Sequence, residues 1–296
     1  MSTQLPRRTI SELVALYRLE PSLVDFYVEG RSDRVFFQYL VRGTKAKIRE
    51  VDDVDVPAET VAEAGLEGGG ARGRLVALAR RFEAMFGGSQ SPSILCVIDA
   101  DFDYLIPPAE PEWRFLRRTD YSCMEAYWFN ERHIEKYLAF AFHGTCTVKA
   151  TELLDFLSPI LKEIFLIRAA HFVLGLGLTW LDPITCCVRR ASGVVFDRDL
   201  FIQRWLNKNA ASGQKQAVEE KVNSLMSRAP ADIRYSMNGH DLVKLLAWIV
   251  RPFAGRHREL ASEEVVARML ACCVERDEVT SYPVLGEVVN MAEASI

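Results

Sequence analysis

The stretch Leu23-Val-Asp-Phe-Tyr-Val-Glu-Gly-Arg-Ser-Asp-Arg-Val-Phe-Phe37 reads as a strand, a turn and a helix in immediate succession. Phe26, Tyr27 and Val28 have the β-branched and aromatic composition of a buried strand. Gly30 interrupts it, and Ser32 is the expected N-cap of the helix that follows. Glu29 is thereby left at the carboxyl end of a strand. Further on, Ser93-Ile-Leu-Cys-Val-Ile-Asp-Ala-Asp-Phe-Asp103 repeats the arrangement: the apolar run from Ile94 to Ile98 predicts a second fully buried strand, ending in acids. If the extended form continues, its period of two puts Asp99, Asp101 and Asp103 on one side. Ligands of open α/β sheets bind outside the carboxyl ends of the strands, so acids gathered there point to a site.

Clustered carboxylates repel one another unless a proton or a cation holds them. Mg²⁺ suits such a cluster, because it takes one or two protein carboxylates, keeps several waters and completes its octahedron with phosphate oxygens. Divalent metal also provides what phosphodiester cleavage requires: an activated water, neutralised phosphoryl charge and a stabilised leaving oxygen. Arg31 and Arg72, with Arg74 close by, have the guanidinium geometry that takes phosphate bidentately.

The pairing of Val28-Glu29-Gly30-Arg31-Ser32-Asp33 with the later Val97-Ile98-Asp99-Ala100-Asp101-Phe102-Asp103 resembles the Toprim domain, shared by topoisomerases, bacterial primases and OLD-type nucleases. Tyr121-Ser122-Cys123-Met124-Glu125-Ala126-Tyr127 adds to the likeness, and Asn238-Gly239-His240-Asp241-Leu242 adds a weaker fourth point, where the family tends to have a Gly-Lys-Asp-like turn and this chain has His240. Within the superfamily the sequence is most similar to the Toprim effectors of the PARIS anti-phage systems. The likeness spans residues 20 to 145 and thins beyond. It implies a Toprim-like parallel sheet and a metal site for Mg²⁺ or Mn²⁺ built from Glu29, Asp99, Asp101 and Glu125, with Asp103 in reserve and Glu29 as a ligand or as general base. Asp33 is expected to fix the turn. The resemblance further implies a nuclease, with RNA favoured over DNA and transfer RNA a candidate, an ABC-type ATPase as controlling partner, and a homodimer when active.

The chain's 296 residues suffice for one large or two ordinary domains, and a hydrophobic fraction of 49% can build a substantial core. Met1 to Ser22 lacks the pattern of a secretory leader, and the most membrane-like run, Ile164 to Leu181, contains Arg168 and His171, which suits a buried helix better than a span. Seven cysteines without C-x-x-C spacing suit a reducing cytoplasm and argue against a zinc ribbon; Cys186-Cys187 and Cys272-Cys273 are expected to be core thiols. A net charge of −4 is unhelpful for gripping nucleic acid. The arginines are nonetheless grouped, at 72, 74, 80 and 81, at 114, 117 and 118, and at 251, 256 and 258, each group readable as a solvated face or as a phosphate contact.

Taken in order, the chain predicts a helix over residues 8–20, the strand at 23–29, a helix from Ser32 to Val41 and a strand from Lys47 to Val56. Gly68, Gly70 and Gly73 satisfy G-x-G-x-x-G, but no buried strand leads into them, so a plain turn or a backbone phosphate contact competes with a dinucleotide site. A helix from Leu75 to Phe86, the acidic strand, and a possible fourth strand at Phe115 to Thr119 complete a doubly wound pattern. Cys123 is expected to begin a helix continuing to Ala141. Long apolar helices are then expected over 151–174, 197–208, 214–228, 240–250 and 262–276, with 189–197 open between loop and strand. The resulting partition is an N-terminal helix over 1–20, a Toprim-like α/β catalytic domain over 21–145 and a helical C-terminal domain over 146–296.

A haloacid-dehalogenase-like phosphatase also uses D-x-D, but with the acidic strand first; a topoisomerase needs a separate strand-passage domain, and a primase usually carries a zinc ribbon. Three readings remain: a metal-dependent nuclease, a non-catalytic Toprim scaffold that binds and regulates an ATPase, and a small-nucleotide phosphohydrolase.

Overall fold

The computed structural model describes residues 7–64, 70–88, 92–108, 113–142, 146–190, 193–255 and 257–295. Two compact units form, one comprising Met1–Ala100, Ala109–Asp120 and Glu275–Ile296, the other Asp101–Pro108 and Tyr121–Val274. Neither is continuous in sequence, in contrast to a partition cut at residues 20 and 145.

The first unit is α/β. Helix α1 (Ile10–Leu19) starts at Thr9, whose side chain accepts from the backbone N–H of Glu12 while the Glu12 carboxylate accepts from Thr9, a reciprocal cap. Strand β1 (Val24–Val28) is buried along its whole length, as its composition requires. Helix α2 (Arg31–Leu40) follows, capped by Gly30 rather than by Ser32: Asp33 reaches back to accept from the Gly30 N–H at 3.2 Å, so the helix begins two residues earlier than a Ser32 cap allows. The strand expected from Lys47 to Val56 is interrupted. Only β2 (Lys47–Glu50) joins the sheet; Val51–Asp53 coils into a 3-10 turn, and Val54–Asp55 pairs instead with Arg8–Thr9. After the short helix α3 (Ala58–Glu63), helix α4 (Ala71–Phe86) begins at Gly70 and takes Gly73 into its first turn, while Gly68 lies outside the described residues.

Strands β3 (Ser93–Ile98) and β4 (Leu116–Arg118) complete a sheet of order β2-β1-β3-β4 with every pairing parallel. Tyr27 of β1 and Ile94, Cys96 and Ile98 of β3 meet Leu13 and Tyr17 of α1 and Leu75, Leu78 and Phe82 of α4 in one core. Helices α11 (Arg276–Val279) and α12 (Pro283–Glu293), near the end of the chain, belong to this unit. There Asp120 accepts from the Val284 N–H, and Arg117 of β4 forms a two-point ion pair with Glu287 at 2.7 and 2.9 Å.

The second unit is mostly helical: α5 (Glu131–Phe142), α6 (Ala150–Val173), α7 (Arg198–Lys208), α8 (Lys215–Met226), α9 (Gly239–Val250) and α10 (Glu263–Cys273). Strands β5 (Cys187–Arg190) and β6 (Gly193–Phe196) pair antiparallel. The helix expected from Cys123 to Ala141 breaks in two. Met124–Trp128 is a 3-10 turn, and α5 starts after Asn130, whose side-chain oxygen accepts from the His133 N–H at 3.0 Å. Cys186, Cys187 and Cys273 are buried thiols, and burial pushes Cys187 up to about 12; Cys272 is exposed, because adjacent helical side chains point to different faces. No described helix is long and apolar enough to cross a membrane.

Candidate metal and phosphate site

In the sheet unit the two central strands end side by side. Glu29 follows β1 directly, Asp99 follows β3 directly, and Glu29 Oε1 accepts from the Asp99 N–H at 3.1 Å. The parallel register that pairs Tyr27 with Cys96 brings this carboxylate to this peptide. This backbone donor orients the Glu29 carboxylate at the strand end. Thr119, buried just past β4, accepts from the Ala100 N–H at 3.0 Å, and its own N–H donates to the Ile98 carbonyl at 2.9 Å. Arg72, in the first turn of α4, donates to the Asp99 carbonyl. The acidic strand end is thus held from three neighbouring elements.

The extended form does not continue past Ile98, so the alternation that puts Asp99, Asp101 and Asp103 on one side stops at the strand end. Residues 101–105 form a turn closed by N–H groups of Leu105 and Ile106 on the Phe102 carbonyl. Asp101 has a φ of +47°, a left-handed conformation rare outside glycine and least costly for Asn or Asp. Non-glycine residues held there cost energy and gather at functional sites. In the helical unit the Asp101 N–H donates to the Ser122 carbonyl at 2.8 Å, while the Phe102 ring packs 5.0 Å from Phe165 and 5.6 Å from Phe172. Phe102 therefore anchors the turn to α6, and Asp103 lies within the turn.

Ser122, almost fully buried, donates through its hydroxyl toward the carbonyls of Arg234 and Met237 at 2.8 and 2.7 Å, and its N–H reaches Arg234 O as well. These bonds fasten the loop before Glu125 to the segment leading into α9. Glu125 consequently lies against the start of α9, so closely that a Cβ on Gly239 would come within 1.8 Å of its Oε2. Desolvation raises the Glu125 carboxyl above its ordinary range, against a smaller lowering from its own backbone N–H and from the charge of His240. A carboxylate there also gains from the positive end of the helix dipole. Asp241 of the same turn is engaged elsewhere, because Arg168 of α6 grips it at 2.6 and 2.9 Å and lies over the Trp180 ring.

The remaining expected phosphate ligands divide. Arg31 is exposed in the first turn of α2, whereas Arg74 is committed to Asp52 at 2.6 Å. Thr119, Ser122 and Phe102 position the acids but carry no signal of their own in the sequence; the Asn238-Gly239 pair does carry a turn signal. Among the described residues, no three or more His, Cys, Asp or Glu side chains come together as a metal-binding group. The side chains that follow the two strands, Glu29 and Asp99, carry hard oxygen donors, and Mg²⁺ takes one or two protein carboxylates of this kind. No family model and no curated protein matches the chain.

Proposed function

We propose that this protein is a divalent-metal-dependent phosphodiesterase that cleaves nucleic acid, with RNA preferred. The observation that carries this reading is the bond from the Asp99 N–H to Glu29, which aims a carboxylate beside the acidic end of the neighbouring parallel strand. A bound Mg²⁺ or Mn²⁺ would neutralise charge on the phosphoryl group and make its water nucleophilic. Asp99 is the ligand assigned in the sheet unit, and Glu29 serves either as a second ligand or as the general base that orients the attacking water. The Toprim resemblance also assigns Asp101 and Glu125, which belong to the helical unit. Water attacks phosphorus, the bond to the leaving oxygen breaks, and that oxygen takes a proton. Arg72, pinned to the Asp99 carbonyl, holds positive charge where a phosphate would enter, and exposed Arg31 adds a second guanidinium.

The resemblance to the Toprim effectors supplies the biological frame: a toxic effector of an anti-phage system acting by abortive infection in the cytoplasm, restrained by an ABC-type ATPase and released to pair with a second copy. The test is cleavage of transfer RNA and of DNA with Mg²⁺ or Mn²⁺, by the native chain and by Glu29→Gln and Asp101→Asn proteins of unchanged melting temperature. Both substitutions should abolish cleavage. Undiminished cleavage in both removes the site, and a native chain that binds the ATPase but never cleaves leaves the scaffold reading in its place.

A further inference from the structure

We infer that the helical unit carries a second binding site, for single-stranded polynucleotide, in the hollow at the carboxyl end of α9. The hollow has a volume of about 520 Å³ and is lined by Arg189, Trp248, Arg251, Pro252, Gly255 and Arg258. That size falls within the range that holds small ligands. Among the described residues that line it, three carry guanidinium side chains and none is acidic. Glu259, the acid next to Arg258 in sequence, is not among the lining residues and lies 3.3 Å from the His257 ring.

A structural role accounts for part of this charge. Arg251 follows the last turn of α9, and Arg189 donates to the Trp248 carbonyl, so both complement the negative end of the helix. That end amounts to only about half an elementary charge. Three guanidiniums leave an excess of roughly two and a half positive charges by the same reckoning. Arg251 and Arg258 are exposed and have no protein partner among the described residues. An anion, and in particular a phosphate oxygen, meets their chemistry. A second hollow of the chain, lined by Arg34, Lys47, Arg49 and Asp53 among others, differs in this respect: Arg34 is paired with Glu50 and Arg49 with Asp25.

The ligand is narrowed further by Trp248. The Arg189 guanidinium lies 3.9 Å from the centre of its ring, a stacked pair presented at the hollow as a flat, charged plate. Bases stack on guanidinium planes as they do on aromatic rings, and a basic groove with a stacking plate is the common means of holding single strands. The plate is rigid because Arg189 is fixed at both its face and its edge, by the ring and by the Trp248 carbonyl. Trp248 lies nine residues along α9 from Gly239, against which Glu125 packs, so the helix rise puts about 14 Å between the two ends. A bound strand can span that distance. The inference stands on the hollow's own residues and needs no cleavage.

The test is binding of a fluorescently labelled oligouridine to the full chain in EDTA, across a salt series. Exchanging Arg251→Gln and Arg258→Gln together should weaken binding at least tenfold at low salt. It should also flatten the plot of log affinity against log salt by about 1.4, at about 0.7 for each phosphate left unneutralised on a single strand. Arg228→Gln, an exposed arginine outside the hollow, should change neither. Arg189→Lys, which keeps the charge and removes the plate, should weaken oligouridine but not an abasic strand of equal length. An unchanged affinity and slope in the double variant overturns the site, as does an equal loss in Arg228→Gln. Because EDTA removes divalent metal, failure here leaves the proposed cleavage untouched, and failure of cleavage leaves this binding measurable.

Discussion

Strand β1 carries one carboxylate and is followed by another four residues on, and the two have opposite fates. Asp25, within the strand, is completely buried; it accepts from the Tyr17 hydroxyl at 2.6 Å and from Arg49 at 2.9 Å, while the Tyr17 and Tyr27 hydroxyls lie 2.6 Å apart. Burial, with Tyr27 and Asp25 adding to it, raises the Tyr17 phenol far above its ordinary range, so this hydroxyl keeps its proton across physiological pH. Glu29, one residue past the strand, is half-buried and takes a backbone N–H from Asp99. A carboxylate tied to a cation and a hydroxyl inside the sheet builds structure. A carboxylate oriented by a peptide just past the strand end is the one proposed for chemistry.

Removing each acid separates the two roles. Asp25→Ala should cost about 3–5 kcal/mol, the scale for leaving half of a buried ion pair behind. A denaturant midpoint lowered to match, with cleavage by the remaining folded protein intact, is the expected pattern; loss of activity at full stability would make Asp25 part of the site. Glu29→Gln keeps an oxygen for the Asp99 N–H and should leave the midpoint near the native value. Its cleavage rate should fall more than a hundredfold, about 2.7 kcal/mol at roughly 1.36 for each factor of ten.

The same contrast governs what the sequence reveals. Apolar runs ending at Gly30 and at Asp99 place β1 and β3 without further information, because a strand buried on both faces has a composition of its own. Helices α1 and α6 are as legible, through their spacing, and α4 is too except for its first turn. Asp25 is not, since a charge inside a buried strand is tolerated only through Tyr17 and Arg49, partners that no periodicity discloses. The break of the Lys47 to Val56 strand is hidden too: Val54 is recruited to Arg8 by the fold. At the candidate site the acids themselves are visible, whereas their supports are distant in sequence. Thr119 acts on Ala100, Ser122 on Met237, and Gly239 makes room for Glu125. The turn at Asp101 is likewise supported by Phe102 packing against α6.

The close approach at Gly239 can be broken directly. A methyl there meets Glu125 Oε2 at 1.8 Å and Cδ at 2.2 Å, so Gly239→Ala should cost about 1–3 kcal/mol, the usual range for overpacking. Combined with Glu125→Ala the loss should shrink, because the clashing atoms are gone, and the cycle isolates that coupling. Additive losses would mean that the glycine serves the backbone alone.

The smallest expected effect tests whether Glu125 is held for chemistry at the expense of stability. Its carboxyl is raised in the folded protein, so folding favours the protonated form. Below the ordinary glutamate value of about 4.3, folded and unfolded chains are both protonated there and nothing is lost. As the pH rises through that value the unfolded chain ionises first, and stability falls until the pH passes the raised value in the folded state. Glu125→Gln has no proton to lose and escapes this penalty. The variant's melting temperature should match the native one at pH 4 and exceed it by a few degrees at pH 7, given that about 1 kcal/mol shifts a chain of this size by roughly 2–4 °C. If Glu125 holds metal, Mg²⁺ or Mn²⁺ should close the gap at pH 7 by stabilising the native chain alone, since a bound ion favours the ionised carboxyl. A gap that persists unchanged in both metals removes Glu125 from the proposed ligands, and a gap independent of pH shows that its titration is not the cause.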